Sequence, residues 1–84
     1  MHFTMFTKDN CTFCKMAKQM IAHTKNTYEE KKIGDGETEV TTEVLQEMVV
    51  NAGSPAVVKT APQIFLGEKY IGGATDLIKY LNSL

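Results

Sequence analysis

Two cysteines stand three residues apart in the run Cys11-Thr12-Phe13-Cys14, and the chain has no others. A close pair of thiols can do three things. It can exchange with disulfides through a thiolate, the form that attacks. It can supply half of a zinc site, or it can sit inert in a core. As a structural staple it would achieve little, because the loop it closes is too short to remove much unfolded-state entropy. Zinc needs about four ligands, and the chain adds only His2 and His23, which lack the paired spacing of a zinc finger. The pair follows the polar turn Lys8-Asp9-Asn10 and is not in mid-core, which weakens the inert alternative. In a reducing compartment such a pair points to catalysis or metal binding before structure.

What the thiols can do depends on the elements that hold them. His2 to Thr7, aromatic and β-branched, predicts a strand. From Phe13 the apolar positions Phe13, Met16, Ala17, Met20 and Ile21 follow helical spacing, which predicts an amphipathic helix from near Cys11 to no later than Asn26. Thr27 to Ile33 suggests a second strand, with Glu29-Glu30-Lys31-Lys32 forming a solvated face, and Gly34-Asp35-Gly36 breaks the chain. Thr41 or Thr42 can N-cap a second helix whose apolar face is Val44, Leu45, Met48, Val49 and Ala52, ended by Gly53-Ser54-Pro55. Gln63 to Leu66, the turn Gly67-Glu68-Lys69 and the return Tyr70-Ile71 read as a hairpin. A last helix opens at Ala74 or Thr75 and turns Leu77, Ile78, Leu81 and Leu84 inward. The order β-α-β-α-β-β-α predicts an α/β chain. A parallel pair joined by a right-handed crossover and an antiparallel hairpin share one four-stranded mixed sheet, flanked by three helices.

This frame places Cys11 where a strand ends and a helix begins. Unsatisfied N–H groups and partial positive charge at a helix N-terminus stabilise a thiolate. Lys8 and Lys15 add positive potential nearby, and Asp9 opposes it. Cys14, one turn further in, is expected to be more buried, with a higher pKa. The pair is then asymmetric: Cys11 attacks and Cys14 resolves. Strand, Cys-x-x-Cys and helix inside a βαβ pattern resemble a thioredoxin-like redox motif.

Three other features each admit two explanations. Pro62, after Ala61, is either an edge-strand device or a cis-proline that leaves the Ala61 backbone free to pair with an extended peptide. Gly72-Gly73 before Ala74-Thr75-Asp76 is either an ordinary turn with an N-cap or a close approach for a ligand. In the second case the helix start would hold a carboxylate and Asp76 an ammonium group. Phe13 either anchors the helix or walls the site, while Met16 and Met20 read as core.

Composition removes several function classes. The 84 residues carry nine bases, all lysine, against ten acids, a net charge of -1. General nucleic-acid binders need a basic stripe, and a polybasic membrane patch is equally unsupported. No apolar run approaches the roughly 18 residues of a membrane span. The N-terminus has neither the basic nor the apolar region of a signal peptide. The expectation is one domain over residues 1–84, cytoplasmic and monomeric, which buries roughly 60–65% of its unfolded surface.

Taken together, Cys11-Thr12-Phe13-Cys14, Thr60-Ala61-Pro62-Gln63-Ile64-Phe65 and Ile71-Gly72-Gly73-Ala74-Thr75-Asp76-Leu77 resemble a glutaredoxin of the small dithiol class. The resemblance covers nearly the whole chain and is least diagnostic over residues 27–52. It implies a thioredoxin-like fold with Pro62 in cis, no bound cofactor, and glutathione as reductant. It implies Cys11 as nucleophile and Cys14 as resolving thiol. Lys8 would lie near the glycine carboxylate of glutathione, and the Ala61 backbone would pair with its cysteinyl part. Thr75 and Asp76 would hold the γ-glutamyl end, Thr60 and Gln63 would line the groove, and Phe13 would flank it. Implied partners are disulfide-containing or glutathionylated proteins, ribonucleotide reductase among them. The chain departs from the family pattern at Thr12, usually proline, at Phe13, usually tyrosine, and at Ala61, usually valine.

Two alternatives stand beside this. One is a thioredoxin-like electron donor served by a flavoprotein reductase, against which the Gly72–Asp76 segment argues. The other is a non-enzymatic module that binds a peptide or an iron–sulfur cluster at the Ala61-Pro62 groove. Cluster binding is associated with single-cysteine members of the family, so Cys14 argues against it.

Overall fold

A computed structural model describes every residue except Asp35 and Thr38. The expected break at Gly34-Asp35-Gly36 therefore lies partly outside the described residues. The elements run β1 (His2–Thr7), α1 (Thr12–His23), β2 (Thr27–Lys32), α2 (Thr42–Asn51), β3 (Gln63–Leu66), β4 (Lys69–Gly72) and α3 (Ala74–Asn82). The four strands form one sheet in the order β2-β1-β3-β4. β1 pairs parallel with β2 and antiparallel with β3, and β3 pairs antiparallel with β4. This is the α/β order and the mixed sheet that the apolar periodicities predict.

Alternation along β1 sends Phe3 and Met5 to one face of the sheet and Phe6 to the other. On the first face Ala17 and Ile21 of α1, Ile64 of β3, and Ala74 and Leu77 of α3 close one core around them. On the second, Leu45 and Val49 of α2 pack with Phe6, Val58 and Phe65. The fully buried Phe, Met, Ile, Leu and Val side chains among these contribute about 1.5–3 kcal/mol each against the ordering entropy.

Several expected core positions are not core. On α1 the buried line is Cys14, Ala17 and Ile21. Met16 is 44% exposed because it projects about 100° from that line, and Phe13, 58% exposed, leaves the core for the groove described below. On α2, Val44 misses the Leu45–Val49 line for the same reason and is exposed. Leu84 lies beyond the end of α3 and is exposed. Ile33 is outside β2 and makes an isolated bridge with Val40.

β2 has almost no buried side chain because it is an edge strand, held to β1 by its backbone. Its charges are nevertheless organised and not simply solvated. Glu30 takes the hydroxyl of buried Thr7 at 2.6 Å, pairs with Lys18 of α1, and lies 3.4 Å from Lys32, which in turn holds Asp9 at 3.2 Å. The bonds from Lys18 and Thr7 lower the Glu30 carboxyl to about 2. A charged edge also discourages strand-to-strand association.

Candidate active site

Topology brings three distant loops to one end of the sheet. Antiparallel pairing sets Phe6, near the end of β1, opposite Gln63 at the start of β3, and Ile64 opposite Gly72 at the end of β4. The turn after β1 carries Cys11, the loop before β3 carries Ala61-Pro62, and the turn after β4 carries Gly72-Gly73. These three segments must therefore meet.

Cys11 is the N-cap of α1. Its extended backbone (φ −106°, ψ 108°) turns the side chain back, and Sγ accepts the Cys14 backbone N–H at 3.1 Å. Sulfur here fills the position that Ser, Thr, Asp or Asn oxygens usually take. The first turn of α1 has no carboxylate to compete for its positive end. The sulfurs of Cys11 and Cys14 are joined as a disulfide across a Cα–Cα distance of 5.2 Å. Cys14 is 2% exposed and Cys11 is half-buried, the asymmetry expected of an attacking and a resolving thiol. Cys11 Sγ also lies 3.6 Å from the carbonyl oxygen of Ala61, fifty residues away in sequence.

A groove of about 340 Å³ runs between the Ala61-Pro62 loop and the start of α3; neither cysteine lines it, and Cys11 meets it through the Ala61 contact. The Ala61-Pro62 peptide is cis, and Pro62 is buried, which resolves the two explanations for that proline. Phe13, Thr60, Ala61, Pro62, Thr75 and Asp76 all line the groove, as does Gln63. Phe13 thus walls the site and does not anchor the helix in the core. Lys8 is exposed on the turn after β1 and is not among the lining residues.

At the α3 end the structure shows the turn and the N-cap, and Gly73, Thr75 and Asp76 also line the groove. Gly73 is the N-cap, and its N–H donates to Asp76 Oδ2 at 3.1 Å. Gly72 has φ +121°, and a Cβ there would meet Asp76 Oδ2 at 2.5 Å. The same turn forms one wall of the groove.

Two lining residues, Val57 and Tyr70, are absent from the sequence-based set. Tyr70 pairs with Phe65 across the hairpin, their ring centroids 5.2 Å apart, and its hydroxyl donates to Gln63 Oε1 at 2.5 Å. Burial first, and the nearby Asp76 charge second, push its phenol above the ordinary tyrosine value. The Gln63 amide donates onward to the Thr60 carbonyl at 2.9 Å. The loop between α2 and β3 has a second clamp. Gln46 donates to the Ala56 carbonyl at 2.9 Å and accepts the Val58 N–H at 2.8 Å. Such side-chain bonds replace the ladder that an irregular segment lacks. The one sequence signal for Tyr70 was its aromatic type at a strand position.

A helix-capping Cys-x-x-Cys facing a cis-proline loop, on a mixed sheet with helices on both faces, defines a thioredoxin-like dithiol domain. The glutaredoxin family model matches residues 3–71. The hybrid peroxiredoxin hyPrx5 of Haemophilus influenzae is 35% identical over 77 residues, covering 92% of this chain and 28% of that protein. This chain therefore spans well under a third of that relative. A glutaredoxin of Neisseria meningitidis is 34% identical over 76 residues, covering 90% of this chain and 80% of the relative. The fold superposes on a buckwheat glutaredoxin–glutathione complex with a TM-score of 0.71 at 20% identity, covering 96% of this chain and 68% of that one. The chain belongs to the glutaredoxin family of thiol–disulfide oxidoreductases. No helix among the described residues is long and apolar enough to cross a membrane.

Proposed function

We propose that this chain is a glutathione-dependent reductant of protein disulfides and glutathione mixed disulfides. The observation that carries the proposal is the setting of Cys11 Sγ. It is held by the Cys14 N–H at a helix N-terminus and lies 3.6 Å from the carbonyl oxygen of Ala61, which lines a groove that reaches Asp76. A backbone donor and a helix dipole both favour the thiolate.

The Cys11 thiolate attacks one sulfur of a substrate disulfide. A mixed disulfide forms, and the departing thiolate takes a proton from solvent. In the dithiol route Cys14 then attacks Cys11 Sγ, releases the second substrate thiol and closes the Cys11–Cys14 disulfide. Two glutathione molecules restore the dithiol and leave as glutathione disulfide. In the monothiol route Cys11 takes glutathione from a mixed disulfide, and a second glutathione resolves the Cys11–glutathione adduct.

The groove accounts for the choice of reductant. The Ala61 backbone beside Cys11 pairs with the cysteinyl portion. Thr75 and Asp76 at the start of α3 take the γ-glutamyl carboxylate and ammonium, and Lys8, outside the groove lining on the turn after β1, is the cation assigned to the glycine carboxylate. Thr60, Pro62 and Phe13 form the walls. Support also comes from the glutathione held by the buckwheat relative on the same fold. A reducing cytoplasm suits this chemistry, with the protein acting as a monomeric single domain. Ribonucleotide reductase is one protein disulfide of the right class.

Reduction of a small glutathione mixed disulfide by glutathione tests the proposal. Cys11→Ser should abolish turnover, and Cys14→Ser should retain it while losing protein-disulfide reduction. Full activity in Cys11→Ser, or none in the wild type with glutathione, would overturn it.

A further inference from the structure

Gln63 is 4% exposed at the first position of a core strand, an unusual place for an amide. Buried polar side chains stand in cores when their hydrogen bonds are satisfied, and both ends of this one are. Its bonds also have a fixed direction. The Thr60 carbonyl can only accept, so the Gln63 amide nitrogen faces it, at 2.9 Å. The Gln63 oxygen must then face Tyr70, and the phenol must donate, at 2.5 Å. An ordinary phenol keeps that proton at neutral pH. The chain of bonds runs from Tyr70 on β4 through Gln63 on β3 to Thr60. Thr60 is the residue before Ala61, whose carbonyl lies 3.6 Å from Cys11 Sγ.

The geometry points to Tyr70 and Gln63 as positioning residues. Together they form a directed hydrogen-bond relay that fixes the Thr60–Pro62 wall of the groove, and so the depth at which a glutathionyl group seats beside Cys11. This deepens the glutathione proposal and rests on it. The relay does not touch the reacting sulfurs, so its loss should weaken substrate seating and leave the exchange step nearly intact. Tyr70 also belongs to the groove wall. Tyr70→Phe therefore removes only the hydroxyl and keeps the ring against Phe65.

Steady-state reduction of a glutathione mixed disulfide by Tyr70→Phe, Gln63→Ala and the double variant tests the relay. One lost hydrogen bond corresponds to about a three- to tenfold effect. Each single variant should raise KM by that factor with kcat within about twofold. The double variant should be no worse than the poorer single one, because members of one network are not additive. Tyr70→Phe should also lower the backbone amide NMR order parameters of Thr60 and Ala61, a readout that needs no glutathione. An unchanged KM in Tyr70→Phe, or effects that multiply in the double variant, would overturn the relay. If the wild type is inactive with glutathione, the glutathione proposal fails by itself. Unchanged order parameters at Thr60 and Ala61 in Tyr70→Phe would then overturn the relay separately.

Discussion

Cys11 makes its own activating environment by the way it starts a helix. A serine at an N-cap accepts the same N–H through oxygen, but the sulfur of Cys11 at 3.1 Å from the Cys14 nitrogen is also the group that reacts. In the proposed mechanism the cap and the nucleophile are therefore one atom, and Cys14 donates the bond and carries the resolving thiol. Asp76 has a similar double position, accepting the Gly73 N–H while it lines the groove. Gly72 makes room for it, with a positive φ that side chains rarely adopt and no space for a Cβ. Gly72→Ala should therefore cost about 1–3 kcal/mol of stability by urea unfolding and raise KM for the glutathione mixed disulfide. Wild-type stability and KM in that variant would mean that Asp76 is not held as described.

At the scale of elements, the charged edge strand is the part least explained by apolar patterning. Glu30 ties β2 to α1 through Lys18 and to the end of β1 through Thr7. Its pKa falls from an ordinary 4.5 to about 2. A carboxyl with a lowered folded-state pKa stabilises fully above its unfolded pKa and loses that contribution as pH falls through the folded value. Urea unfolding of the wild type should thus lose on the order of 1 kcal/mol more than Glu30→Gln between pH 4.5 and 2, the pair being partly exposed and screened. Parallel pH profiles would contradict this. Most elements were legible from punctuation and period. β3 runs from Gln63 to Leu66 as expected because Pro62 and Gly67 bracket it. Periodicity shows that α1 has an apolar stripe but not which edge of it meets the sheet, so it reads Met16 as core and leaves Phe13 open between core and groove. The cysteine pair was legible from its spacing, Ala61-Pro62 and Gly72–Asp76 as turn and helix-start chemistry, and Thr60 only through the family resemblance. Tyr70 and Val57 were not, because their roles come from a hairpin register and a loop path that only tertiary pairing sets.

For the whole molecule, two cores on opposite faces of a four-stranded sheet leave one end free to carry chemistry. The antiparallel β1–β3–β4 pairing brings the thiols, the proline loop and the start of α3 together there. A ligand that spans the groove would therefore meet these loops together, and the glutathione recognition we propose would be a property of the assembled end of the fold. The most direct measurement uses the reduced Cys14→Ser protein, whose remaining thiol is Cys11. It is exposed briefly to an equal mixture of glutathione disulfide and bis(2-hydroxyethyl) disulfide, then quenched and weighed intact. If the groove selects glutathione, the Cys11–glutathione adduct should exceed the hydroxyethyl adduct by about tenfold or more, the equivalent of 1.4 kcal/mol of recognition. Equal amounts of the two adducts would show that Cys11 exchanges without reading its partner, and would contradict a glutathione-dependent oxidoreductase.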